Sequence, residues 1–222
     1  MRNALSRGIG LAVAAIFLLS GLAVSQESKS IKLPAPEMTG GRPLMEVLKD
    51  RQTTRTFAET ELPLQTLSNL LWAAWGYNRP EKGLRTAPSA SNQQEIDLYV
   101  AMEKGLYLYD AKSLELRLML AKDLRKATGT QRFVGSVPLN LIYVADHNRM
   151  YSGRADEETM RFYSAANAGY ISQNVYLYCA SEGLGTVVRG LVDREALAKE
   201  MKLKAGHKVV LCQSVGYRKT SK

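Results

Sequence analysis

The chain of 222 residues is poor in side chains that bind transition metals, with two cysteines and two histidines. Cys179 and Cys212 lie far apart in the sequence, and His147 and His207 are the available imidazoles, so the close ligand spacing of zinc sites is missing. The sequence therefore predicts no metal site and argues against a zinc or iron enzyme. Each cysteine lies in an apolar run and is interpreted as a buried free thiol. A disulfide stays open, because sequence does not give their separation.

Basic runs are also missing, although the formal net charge is +9. Lysines and arginines are scattered among acidic residues, whereas nucleic-acid-binding proteins usually concentrate them in a patch or stripe. We therefore predict no nucleic-acid partner. The excess positive charge is instead compatible with anionic small molecules, which it would attract by electrostatic steering.

A long apolar run occurs at the N-terminus. Arg2 and Arg7 precede an apolar stretch over 9–24, and Ala23-Val24-Ser25 offers small residues for cleavage. The stretch is shorter than the roughly 20 residues that a stable membrane span needs. It predicts a signal peptide over residues 1–25, export to the periplasm and no stable membrane insertion after cleavage. An uncleaved N-terminal anchor is the alternative.

The remaining sequence fits one domain preceded by a short connection. Residues 26–41 are polar, carry Pro34 and Pro36, and are interpreted as a linker or an arm on the surface. Residues 42–222 have a length typical of a single domain that buries its core without disulfides.

Hydrophobic periodicity predicts a mixture of helices and strands in this domain. A nearly continuous apolar run over 139–145 is typical of a strand covered on both faces. The region from Asn78 to Gln94 lacks periodicity and is predicted to be a long loop. Helices are predicted over 62–75, 121–128, 156–182 and 193–201, and further strands over 96–100, 105–110, 114–118 and 209–216. The pattern predicts an α+β sandwich, in which helices flank a mostly antiparallel sheet.

The segment Arg51-Gln52-Thr53-Thr54-Arg55 combines two guanidinium groups with hydroxyls just after an amphipathic run. Guanidinium groups pair with phosphate oxygens in two-point geometry, and hydroxyls satisfy the remaining lone pairs. The segment therefore indicates an anion-binding site, although an ordinary solvated surface has the same composition.

Two later segments complete an ordered set: Ala87 to Gln94, rich in Ser, Asn and Gln, and Gly183 to Gly190, which follows the long helical pattern. From about Pro43 to Arg218 the chain thereby resembles the nitroreductase family of FMN-dependent oxidoreductases. Within the family it is similar to the small bacterial SagB-type, thiazole/oxazole-oxidase-like dehydrogenases. The resemblance implies a nitroreductase-like sandwich and a homodimer with FMN at the subunit interface.

The resemblance also implies the cofactor-binding residues. Arg51, Gln52 and Thr53 would serve the phosphate and ribityl chain, and Arg55 the pyrimidine edge. The other positions that match the family's pattern are Ser89, Ser91, Asn92 and Gln94, partly from the partner subunit, Gln131 near the ribityl or pyrimidine side, Arg189 and Gly190 through their backbone N–H groups, and Arg218 near the phosphate. For the 89–94 segment, a turn chosen for local hydrogen bonds is the alternative. No side chain is predicted to be catalytic, because the flavin carries the chemistry.

The expected function is an FMN-dependent oxidoreductase with small-molecule partners. It would transfer hydride or electrons from a reduced nicotinamide or another donor to a nitroaromatic, a quinone or a similar acceptor. Two alternatives remain: a SagB-like dehydrogenase or oxidase acting on a peptide-derived substrate, and a flavin-binding protein without turnover.

Overall fold

The fold is built on a seven-stranded sheet in the order β1-β6-β5-β4-β7-β9-β8. The computed structural model describes residues 30–151 and 154–219, so the predicted signal peptide at 1–25 lies outside the described residues. The strands are β1 (Ile31–Lys32), β2 (Tyr77–Arg79), β3 (Leu84–Arg85), β4 (Ile96–Met102), β5 (Gly105–Asp110), β6 (Glu115–Leu120), β7 (Leu139–Asp146), β8 (Leu184–Arg189) and β9 (His207–Tyr217). Strands β2 and β3 form a separate ribbon, and every pairing among the described strands is antiparallel.

Strand β7 lies at the centre of the fold, between β4 and β9. Its residues Leu139 to Ala145 are all buried, as the continuous apolar run predicts, because helices and 3-10 turns cover both faces of the sheet. The α+β sandwich with an antiparallel sheet is therefore confirmed.

Helices α1 (Leu44–Asp50), α2 (Leu64–Trp75), α3 (Glu157–Ser181) and α4 (Arg194–Glu200) flank this sheet. The 25-residue α3 begins where the Asp156 carboxylate accepts a hydrogen bond from Thr159 N at 2.7 Å. One side of α3 packs with α2 against the sheet through Ala168, Ile171 and Val175. Helix α4 covers the other face through Leu197.

The structure differs from the sequence prediction in three places. The helix predicted over 121–128 is a 3-10 turn at Arg125–Thr128, where the Asp123 carboxylate accepts from Arg125 N and competes with helical hydrogen bonding. The 183–190 segment, to which the sequence assigned neither helix nor strand, is mostly strand β8, and within it only Gly183 has the left-handed conformation, with φ of 71°. The loop predicted over 78–94 contains β2, β3 and two 3-10 turns.

Both cysteines are buried free thiols, as predicted. Burial raises the pKa of Cys212 to about 12 and raises that of Cys179 still further. These thiols are therefore protonated and unreactive at neutral pH. Across residues 30–151 and 154–219, none of the helices is both long enough and apolar enough to cross a membrane.

Candidate functional site

A basic cavity of about 400 Å³ lies between the end of α1, the end of α3 and the end of β9. The only carboxylate in its lining, Asp50, accepts from Arg42 Nη2 at 2.6 Å. The residues that line it are Arg42, Lys49, Asp50, Arg51, Gln52, Ala180, Gly183 and Arg218. With four cations against one carboxylate the cavity carries net positive charge, which favours an anion rich in acceptor oxygens.

The cavity brings together three predicted cofactor residues, Arg51, Gln52 and Arg218. Helix α1 ends where Arg51 N donates to Val47 O, and the chain then turns into the cavity wall. Arg218 follows β9, and its Nε donates to Leu184 O at 3.1 Å. Three segments that are distant in sequence therefore meet at one site.

Tyr176 connects this site to β8, and sequence reasoning missed it. Its hydroxyl lies 3.2 Å from Thr53 Oγ1 and accepts from Val188 N at 3.1 Å. The Arg51 guanidinium lies over its ring, 5.4 Å from the centroid. In the sequence Tyr176 occupies an apolar position of α3, so the pattern gives no signal that its hydroxyl has polar partners.

The outer edge of β8 carries the backbone groups that the resemblance implicates. Thr186 O accepts from Thr54 N and Val188 N donates to Tyr176, so the polar groups of these two residues point away from β9. Because alternate residues of a strand share one edge, Arg189 N points toward β9. Of the two implicated residues, Arg189 is buried and Gly190, which follows the strand, is exposed.

The Arg189 side chain is buried on the inner side of β8. Its guanidinium donates to Thr128 O and to Asn140 Oδ1, and its pKa is lowered by burial. Among the described residues its Nε has no hydrogen-bond partner, and neither does the buried Oε1 of the nearby Gln131. A Cβ at Gly129 would collide with Arg189 Nη1 and lie 2.8 Å from Gln131 Oε1, so glycine permits this packing. Arg189 thus contributes structurally through its side chain.

The 89–94 segment is held by its own side chains. Ser89 Oγ accepts from Gln94 N at 3.0 Å, and Gln94 Oε1 accepts from Arg85 Nε at 2.8 Å. Ser91, Asn92 and Gln94 have positive φ of 49°, 51° and 49°. Such left-handed conformations in residues other than glycine are costly and concentrate at functional sites. The local hydrogen bonds also agree with the alternative interpretation of this segment as a structural turn.

The predicted site residues do not all meet within one subunit. Ala90 N in the 89–94 segment donates to Asn167 Oδ1 on α3, whereas the basic cavity adjoins Tyr176 and Ala180. Asn167 and Tyr176 are nine residues apart, roughly 13 Å along a helix. Arg55 is exposed.

The model of the nitroreductase family matches residues 48–217 of this chain. The chain belongs to the nitroreductase family. A curated protein of Methanocaldococcus jannaschii, described as a candidate nitroreductase, is 30% identical over 171 residues, which cover 72% of this chain and 85% of that protein. The crystal structure of a candidate nitroreductase from Ralstonia eutropha is 46% identical, with a TM-score of 0.83 over 90% of this chain and 94% of the other. Membership supports an oxidoreductase that uses a flavin.

The same fold occurs in a more distant protein. A chain of the Escherichia coli microcin synthetase complex, solved with a truncated microcin precursor bound, has a TM-score of 0.67 at 17% identity. The match covers 95% of this nitroreductase-family chain and 85% of the other. At this identity the likeness shows the shared fold.

Proposed function

We propose that this nitroreductase-family protein is an FMN-dependent oxidoreductase, which takes hydride from a reduced nicotinamide or another donor and reduces a nitroaromatic, a quinone or a similar acceptor. The observation that carries the proposal is the basic cavity at Arg51 and Arg218, found in a chain whose family uses flavins.

The donor set fits FMN. An ionised phosphate offers acceptor oxygens alone, and the cavity offers the guanidinium and ammonium donors of Arg42, Lys49, Arg51 and Arg218. Among the described residues the buried Gln131 Oε1 has no hydrogen-bond partner, and the resemblance assigns Gln131 to the ribityl or pyrimidine side. When bound, FMN supplies the redox chemistry by accepting hydride at its N5 atom.

The residues of the chain would bind FMN and polarise its ring system. Arg51 and Arg218 hold the phosphate, and Thr53 donates to an oxygen of the phosphate or ribityl chain. Gly190 N–H and the Arg55 guanidinium stabilise negative charge where it develops, as preorganised donors do in other enzymes. No side chain is required as a nucleophile.

We also propose a homodimer that pairs α3 with its copy. The outer side of α3 is exposed at Phe162, Ala165, Gly169 and Tyr170, so small residues alternate with large apolar ones on a face of the long helix. Two-fold pairing about Gly169 would lay the N-terminal half of the partner's α3, with its attached 89–94 segment, beside the C-terminal half of this chain's α3. The 89–94 segment of the partner would then approach the basic cavity of this chain. Within one chain, by contrast, the 89–94 segment and the basic cavity lie apart along α3.

Export to the periplasm after cleavage behind Ser25 remains part of the proposal, with an uncleaved anchor as the alternative. The mass of the intact protein from an expressing cell distinguishes them. A mature form that begins at Gln26 supports export, and a form that retains Arg2 and Arg7 supports the anchor.

The visible spectrum of the purified protein tests the cofactor. We expect flavin absorbance, or uptake of one FMN per subunit by the colourless protein, and bleaching by NADH or NADPH followed by reoxidation with a quinone or nitroaromatic acceptor. A protein that takes up no FMN contradicts the proposal. Uptake without turnover would indicate the flavin-binding alternative, and turnover only with a peptide-derived substrate the SagB-like one.

A further inference from the structure

The hydroxyl of Tyr176 has two polar partners among the described residues, Thr53 Oγ1 and Val188 N. The side chain is on α3 and is 8% exposed, whereas its partners belong to the segment after α1 and to β8. One phenol group on α3 therefore joins the segment after α1 to β8.

One of these two hydrogen bonds has a direction fixed by its donor. Val188 N–H can only donate, so it uses a lone pair of the Tyr176 oxygen. Its single phenolic proton is available to Thr53 Oγ1, the other partner at 3.2 Å, although either oxygen of this pair can be the donor. In the arrangement in which Thr53 Oγ1 accepts that proton, the hydroxyl proton of Thr53 is free to be donated elsewhere. Thr53 is exposed and directly follows the cavity residues Arg51 and Gln52.

We propose that Tyr176 is a positioning residue that fixes Thr53 as a hydrogen-bond donor toward a phosphate or ribityl oxygen of the cofactor. The chain Val188 N–H, Tyr176 O–H, Thr53 O–H runs in one direction and ends at the site, and such chains strengthen each member. The aromatic ring meanwhile holds the Arg51 guanidinium in place. This inference rests on the proposed binding of FMN.

Substitution of Tyr176 separates the contribution of its hydroxyl from that of its aromatic ring. Tyr176→Phe removes the hydroxyl and keeps the ring beneath Arg51, and Thr53→Val removes the other end of the hydrogen bond with little change of shape. Tyr178→Phe is the matched control, because Tyr178 lies on the same helix and its hydroxyl donates to Thr66 O, away from the basic cavity.

The affinity for FMN is measured by titrating the apoprotein with FMN and monitoring the quenching of flavin fluorescence. We expect Tyr176→Phe and Thr53→Val each to weaken FMN binding roughly three- to tenfold, as loss of one hydrogen bond does. The double variant should bind about as well as the weaker single variant, because both substitutions remove one shared interaction. Thr53→Ser keeps the hydroxyl and should bind within about twofold of the parent, as should Tyr178→Phe.

The possible failures are distinct. If the parent protein binds no FMN, the proposed function is wrong. If the parent binds FMN and Tyr176→Phe binds it equally well, or if the effects of Tyr176→Phe and Thr53→Val multiply, the positioning role is wrong. Circular dichroism checks the fold of each variant. Should Tyr176→Phe fail to fold, the Thr53→Val and Thr53→Ser pair decides, because equal binding by the two variants contradicts a donor role for Thr53.

Discussion

Arg51 and Arg55 are close in sequence but differ in their surroundings. Arg51 lines the basic cavity and lies over the Tyr176 ring, whereas Arg55 is exposed outside that lining. We expect Arg51→Ala to weaken FMN binding by roughly ten- to a hundredfold, since a charge-assisted hydrogen bond contributes about 1.5–3 kcal/mol. Arg55→Ala should lower the flavin reduction potential more than Arg51→Ala does. Titration and redox potentiometry measure both effects, and equal shifts of potential would refute this division of roles.

Gly190 offers a test of the backbone donor. A Cβ at Gly190 would meet no heavy atom nearer than 3.9 Å, so Gly190→Ala fits and keeps the N–H. Gly190→Pro removes the N–H. We expect the proline variant to lose on the order of 10²-fold in turnover, as loss of one preorganised donor does in other enzymes, and the alanine variant to keep most of its activity. Steady-state rates of the two folded variants decide, and equal losses would place the function on other atoms.

The exposed side of α3 provides a test of the proposed dimer. A Cβ at Gly169 would meet nothing within 4 Å in a single subunit, so larger side chains fit the monomer. We expect Gly169→Gln to convert the dimer to a folded monomer, because it blocks close approach of two helices while improving intrinsic helix propensity. Gly169→Ala, the smaller step, should weaken association less.

Light scattering over a dilution series measures the mass, and circular dichroism reports the helix content. A Gly169→Gln protein that stays as dimeric as its parent would show that the subunits meet elsewhere. A parent that binds FMN as a monomer would overturn the dimer itself.

The helices and strands that the sequence predicted well are those with a clear periodic spacing of apolar residues. Helices α2 and α3 and the buried strand β7 were placed nearly to their ends, because apolar spacing and the Asp156 cap specify them locally. Strand β8 was missed because Gly185 and Gly190 resemble turn residues. A Cβ at Gly185 would lie 2.9 Å from Thr54 Cγ2, so this glycine serves a long-range contact that local pattern does not encode.

The site was predictable only in part, for the same reason. Charge and hydroxyl content indicated an anion site at the segment that contains Arg51, and the resemblance added the roles of Gln52 and Arg218. The fold brings these three residues into one cavity. Tyr176 was missed, because the role of its hydroxyl depends on the separate approach of Thr53 and Val188. The cofactor roles assigned from resemblance stay predictions until FMN binding is measured.

At the scale of the whole molecule the proposal predicts a kinetic pattern. If flavin is the only redox group and one cleft reaches it, donor and acceptor must occupy the cleft in turn. Steady-state rates at varied concentrations of both substrates should therefore give parallel double-reciprocal lines, the ping-pong pattern of a two-step exchange. Intersecting lines would indicate a ternary complex and a second binding position.

The covered outer edge of β8 also opposes edge-to-edge pairing with the strands of other chains. An exposed edge strand is a template for pairing with other chains, and proteins usually block it. Here Thr54 N donates a hydrogen bond to Thr186 O, and the Tyr176 hydroxyl accepts one from Val188 N. A change that detaches Thr54 or Tyr176 would therefore uncover a strand edge while the rest of the sheet is still folded. The hydrogen bonds that hold Thr54 and Tyr176 beside the candidate site are thus also a safeguard against aggregation.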